Sequence, residues 1–157
     1  MAPDQRLSRL TLDAHGVVRF SPRVEHERRI AIQDLLDENS FQPVDGVSGP
    51  FVLHLGLAEG RLLFDVRDES ETPLFAFPLS LAPLRGIIKD YFMVCDSYYK
   101  AIGDATPSRI EAIDMGRRGL HNEGAEMLRD RLAPRIAIDT VTARRLFTLI
   151  CVMHIRS

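Results

Sequence analysis

Lysine is almost missing from this sequence of 157 residues: of 20 basic residues, only Lys89 and Lys100 are lysines and the rest are arginines. Arginine's planar fork binds carboxylate and phosphate through two parallel bonds. A codon bias in a GC-rich genome accounts for the same composition without any ligand. Cysteine is as scarce. Cys95 and Cys151 lie far apart in apolar runs, and neither has a cysteine or histidine at zinc-ligand spacing. They read as buried, reduced thiols, which suits the cytosol. Long hydrophobic runs are missing too. Leu146 to Met153 is interrupted by Thr148 and is too short to span a bilayer. The first residues, Met1 to Arg6, lack the apolar core of a signal peptide. A cytoplasmic protein with no membrane attachment is expected.

Catalytic and cofactor signatures are lacking as well. There is no phosphate-binding loop, dinucleotide fingerprint or nucleophile elbow. His26-Glu27-Arg28-Arg29-Ile30 has isoleucine where a zinc protease needs its second histidine. His54, within a strand, and His154, at the end of an apolar helix, read as structural. No cofactor or metal is expected. The net charge of -2 argues against a protein held to nucleic acid by broad attraction.

What is present describes a folded chain. A hydrophobic fraction of 45% and a charged fraction of 27% are ordinary for globular proteins. The length fits one domain, which at this size buries about 68–70% of its unfolded surface. No repeat or linker divides residues 1–157, so a single α+β domain is predicted.

Leu10 and Leu12 alternate with polar neighbours before Asp13-Ala14-His15-Gly16, a turn signal, so the chain opens with a short strand or hairpin. Ser21-Pro22 starts a helix with Val24, Ala31, Ile32, Leu35 and Leu36 inward, ending near Asn39 in a left-handed terminator. An antiparallel β-meander follows. Phe51, Leu53, Leu55 and Leu57 alternate in one strand, and Ala58-Glu59-Gly60 turns the chain. Leu62, Phe64 and Val66 form the second strand and Phe75, Phe77 and Leu79 the third. Pro78 implies that the third lies at an edge or ends there. Residues 81–102 keep a 3.6-residue period, giving a long amphipathic helix that lays one face on the sheet and stops at Gly103.

The C-terminal half is helical. Thr106-Pro107 caps a helix with Ile110, Ile113 and Met115 inward. Ile136 and Ile138 suggest a short strand, and Asp139 caps a final helix through about His154. That helix has almost no polar face after Leu146, so it is either central in the fold or covered by a second copy in a homodimer.

Residues 114–124, Asp-Met-Gly-Arg-Arg-Gly-Leu-His-Asn-Glu-Gly, hold three glycines, two arginines and a histidine. Glycine inside a helix costs about 1 kcal/mol against alanine, so a break is predicted. Gly119 would end one helix in a left-handed conformation with Leu120 against Met115, and Asn122 would cap the next. Ala125, Leu128 and Leu132 would face inward. Such a corner exposes backbone N–H groups beside Arg117, Arg118, Gly119, His121 and Asn122, a pocket for phosphate or carboxylate. A purely structural corner, its arginines paired with Asp114 or Glu111, explains the same residues. Gly116-Arg117-Arg118-Gly119 also has the outline of the glycine loop of RNA-binding KH domains, without that fold's order of strands and helices.

The runs Leu62-Phe64-Asp65-Val66-Arg67, Lys89-Asp90-Tyr91-Phe92, Ser97-Tyr98-Tyr99, Ile110 to Gly124, and Ala143-Arg144-Arg145-Leu146-Phe147-Thr148-Leu149 resemble uncharacterised protein family 0262, of alphaproteobacteria. The resemblance implies a bacterial, cytoplasmic protein and carries no activity, cofactor or catalytic residue. Three readings stand. The first is a non-enzymatic binding or regulatory domain for a protein partner or an anionic ligand. The second is a small enzyme on a phosphorylated or carboxylated substrate, with Arg117 and Arg118 as clamp and His121 as acid or base. The third is a nucleic-acid module using the pairs Arg28-Arg29, Arg117-Arg118 and Arg144-Arg145.

Overall fold

A computed structural model describes residues 4–14 and 22–154, with the side chains of 13, 14, 22–24 and 154 left aside. The His15-Gly16 turn, the Ser21 cap and the side chains of Val24 and His154 therefore lie outside the described residues.

The meander forms as its alternation dictates. β3 (Phe51–Ala58), β4 (Arg61–Asp68) and β5 (Pro73–Ser80) pair antiparallel in consecutive order. Glu59 and Gly60, at φ 53° and 74°, make the first turn in the left-handed geometry that suits a two-residue hairpin. Phe51, Leu53, Leu55, Leu62, Phe64, Val66, Phe77 and Leu79 fill the inner face, with the Phe64 and Phe77 rings stacked at 5.0 Å. Pro78 does lie on an edge strand.

Of the strand or hairpin expected at the opening, a strand is described. β1 (Leu7–Ala14) pairs in parallel with β3, completing a mixed sheet of order β1-β3-β4-β5. A parallel neighbour requires a crossover, and α1 (Pro22–Asp37) lies within it. A register shift between Leu7 and Arg9 lets Leu7 and Leu10, three positions apart, both turn inward. Asn39 is not left-handed; among the described non-glycine residues Glu59 and Glu71 are. Its side chain does the terminating instead. The amide oxygen accepts from the Leu7 N–H at 2.7 Å, and the amide nitrogen donates to the carbonyls of Leu7 (3.1 Å) and Leu35 (3.0 Å). One residue thus ties the end of α1 to β1.

A short 3₁₀ turn at Ala82–Leu84 leads into α2 (Arg85–Ile102), which ends before Gly103. Ile87 and Ile88 join the core, and the rest of α2 packs chiefly along α3 (Pro107–Leu132). The Thr106 hydroxyl caps α3 by accepting from the Arg109 N–H. The remaining elements are a two-residue bridge between β2 (Gln42–Pro43) and β6 (Ile136–Ala137), then α4 (Thr140–His154). Asp139 accepts from the Thr142 N–H at 2.8 Å, as its capping position predicts.

The predicted corner does not exist. α3 runs unbroken for 26 residues through Gly116, Gly119 and Asn122. Met115, expected inside, is 66% exposed and makes no terminating contact. The helix passes straight on because its second half is anchored: Gly124, Ala125, Leu128 and Leu132 are buried. An ideal Cβ on Gly124 would lie 2.2 Å from the Phe147 ring, so this glycine is what lets α4 approach. Phe147, Leu149, Ile150, Cys151, Val152 and Met153 of α4 are all buried by the chain itself. That burial accounts for the helix's apolar composition. Among the described residues no helix is long and apolar enough to cross a membrane.

Candidate functional site

Continuity of α3 strings the five residues expected to form one pocket along adjacent turns of a single helix, with no corner between them. Arg117 and Arg118 both donate to Asp114, which stands three and four positions before them along the same helix. Hydrogen bonding from Arg117, then from Arg118, outweighs burial and holds the Asp114 carboxyl below its ordinary range. Arg117 also lies 4.4 Å over the Tyr98 ring of α2. Arg118 is turned to solvent, and Gly119 and Asn122 are exposed. No helix N-terminus opens here, so the N–H groups that were to cradle an anion are spent within the helix. Of the three residues named in the enzyme reading, His121 lines the cleft described below, whereas Arg117 and Arg118 do not.

His121, one turn beyond Arg117 on the same helix, packs toward α4. Its ring sits between Tyr91 and Phe147, with centroids 5.4 and 5.3 Å away. The Thr148 hydroxyl donates its single proton to the Arg144 carbonyl at 3.0 Å, so at 2.7 Å it accepts from Nε2–H of His121. The tautomer is thereby set, with Nδ1 unprotonated. Burial first, then the charges of Arg144 and Arg117, hold the imidazole below its ordinary range, and it is neutral at pH 7.

His121 and Thr148 line a cleft of about 390 Å³ together with Glu38, Val141, Arg144 and Arg145. That volume lies in the range of small-molecule sites. The arginines differ in availability. Arg145 donates to the carbonyls of Asp34 and Glu38, fastening α4 to the end of α1. Arg144 has no ion-pair or hydrogen-bond partner for its side chain among the described residues. The three arginine pairs do not act alike: Arg28 pairs with Glu25 at 2.7 Å, and Arg117 and Arg118 share Asp114.

Two further places hold chemically interesting groups. A groove of about 340 Å³ between α1, α2 and α4 is lined by Ile30, Tyr91, Phe92, Cys95, Tyr99 and Cys151, among others. Both cysteines are unpaired there, and burial pushes both thiols up, away from the reactive thiolate. On the outer face of the sheet, His54 joins Thr11 of β1 through Nδ1 and Glu71 through Nε2 at 2.8 Å. Arg9 and Arg67 each approach Glu71 at 3.5 Å. This network clamps the β4–β5 turn to the two neighbouring strands. Among the described residues no cluster of histidine, cysteine and carboxylate is placed to hold a metal ion.

Sequence reasoning singled out His121 with Arg117 and Arg118; the structure adds Arg144 and Thr148 of α4 beside it. Arg144 and Thr148 stand four apart on α4, a spacing that puts both on one face. That signal gains meaning only once α3 is known to run straight and to turn His121 toward them.

Comparison with known proteins agrees with the resemblance. A family model described as "Uncharacterised protein family (UPF0262)" matches residues 4–156. A UPF0262 protein of Rhodopseudomonas palustris (strain HaA2) is 56% identical over 151 residues, covering 96% of this chain and 93% of the relative. One from Paramagnetospirillum magneticum is 57% identical over 152 residues, covering 97% of each. One from Bradyrhizobium sp. (strain ORS 278) is 56% identical over 151 residues, covering 95% of this chain and 89% of the relative. No solved structure matches.

Proposed function

The chain belongs to UPF0262, a bacterial family whose description assigns no activity, and we propose that it is a cytoplasmic, non-enzymatic binding domain that takes an anionic group in the α3–α4 cleft. One observation carries the reading. Arg144 lines a concave site without an acid to neutralise it, whereas Arg117 and Arg118 share Asp114. A guanidinium in that position is a ready partner for carboxylate or phosphate, on a small molecule or on a protein partner's side chain. The neutral His121 and the committed Thr148 hydroxyl shape the wall beside it without supplying charge.

A ligand that binds only the folded state raises its melting temperature. A thermal-shift series with inorganic phosphate and small carboxylic acids should therefore raise the midpoint of the wild type and leave Arg144→Ala unmoved. The double variant Arg117→Ala/Arg118→Ala should respond as the wild type does. Loss of response in the double variant, with Arg144→Ala still responding, would return the site to the 114–124 segment.

A further inference from the structure

Glu38 is out of place in a site built for an anion alone. It follows α1 and lines the same cleft as Arg144, yet the two do not form an ion pair. Neither side chain has another charged or hydrogen-bonded partner among the described residues. Every other polar group of the cleft has a commitment. Arg145 is bound to the carbonyls of Asp34 in α1 and of Glu38 itself, which fixes the backbone from which this carboxylate projects. Thr148 gives its proton to the Arg144 carbonyl, and Nε2–H of His121 is given to Thr148. Arg144 and Glu38, both exposed, remain without side-chain partners in a cavity of about 390 Å³ with Val141 on its wall, while the Arg145 guanidinium beside them bonds carbonyls and no acid.

We infer that the cleft takes a small zwitterion, a molecule carrying a carboxylate or phosphate a short spacer away from an ammonium group. The inference rests on the cleft reading above and names the ligand's class. An anion alone would meet Arg144 but lie beside an unneutralised Glu38, and a cation alone would meet Glu38 beside Arg144. A molecule with both charges satisfies each side chain, and with a carboxylate head it brings no net charge into the cleft. Val141 gives the short apolar spacer a surface to lie on. Carboxylate and phosphate heads share the chemistry that Arg144 recognises, so both are tested.

The experiment is calorimetric titration at low salt with β-alanine and phosphoethanolamine as zwitterions, and with propionate, inorganic phosphate and ethylamine as single-charge controls. At least one zwitterion should bind ten-fold or more tighter than its matching anion, and ethylamine should bind weakest. Glu38→Gln should remove that advantage, leaving the zwitterion no tighter than the anion, while binding of the anion itself is kept or strengthened. Arg144→Gln should abolish binding of zwitterion and anion alike, with an unchanged circular dichroism spectrum and melting temperature. Equal affinity for zwitterions and anions in the wild type, or a zwitterion advantage that survives Glu38→Gln, would overturn the inference and leave the anion cleft standing. Absence of binding by every probe would overturn both.

Discussion

Glu71 sits in the β4–β5 turn at φ 67°, a conformation that costs a non-glycine residue free energy and persists only where its surroundings hold it. They do so from several sides. Asp68 accepts from the Ser70 and Thr72 N–H groups at 2.9 Å, while His54, Arg9 and Arg67 hold the Glu71 carboxylate. The hydrogen bond from His54, then the surrounding positive charges, outweigh desolvation and lower the Glu71 carboxyl below its ordinary 4.5. A depressed folded-state pKa contributes stability that is whole above the unfolded value and is lost as pH falls through the folded one. Thermal melts from about pH 7 to about pH 3 should therefore show Glu71→Gln below the wild type at the neutral end and level with it at the acid end. A gap that stays constant with pH would show that the carboxylate's charge does not clamp the turn. Asn39 shows what local reading misses at this scale. Its backbone tolerance suggests a left-handed stop, but its amide serves Leu7, a partner 32 positions away that no local pattern announces.

Among elements, the meander and helix starts are legible because each is set by short-range chemistry. Period-two alternation gives β3, β4 and β5, and a side-chain acceptor starts α3 at Thr106 and α4 at Asp139. The course of α3 is not legible, since its glycines have two different meanings. Gly116 and Gly119 have open space where a Cβ would stand, and they cost helix propensity that tertiary packing overrides. Gly124 instead gives passage to the Phe147 ring, a contact between helices that sequence spacing alone cannot show. Gly124→Ala should consequently destabilise the protein by about 1–3 kcal/mol through overpacking, despite the better helix propensity of alanine. Denaturant titration measures it. An unchanged or raised midpoint would show that α3 and α4 do not meet as closely as described.

For the whole molecule, placement matters more than motif. β1 lies parallel to β3 across a crossover that contains α1, and Arg145 fastens the end of α1 to α4. Glu38, Arg144 and His121 come from three separate stretches of sequence and meet only through that arrangement. Their meeting depends on α3 passing straight through residues 114–124, so that His121 turns toward α4 and Asp114 occupies the two arginines. The melting temperature of Gly119→Ala tests that course most directly. An exposed glycine inside a continuous helix gains up to about 1 kcal/mol on becoming alanine, worth about 2–4 °C in a protein of this size. That rise is the expected result for an unbroken α3. A fall would mean that Gly119 holds a left-handed bend which alanine cannot adopt, and the α3–α4 cleft would lose its foundation.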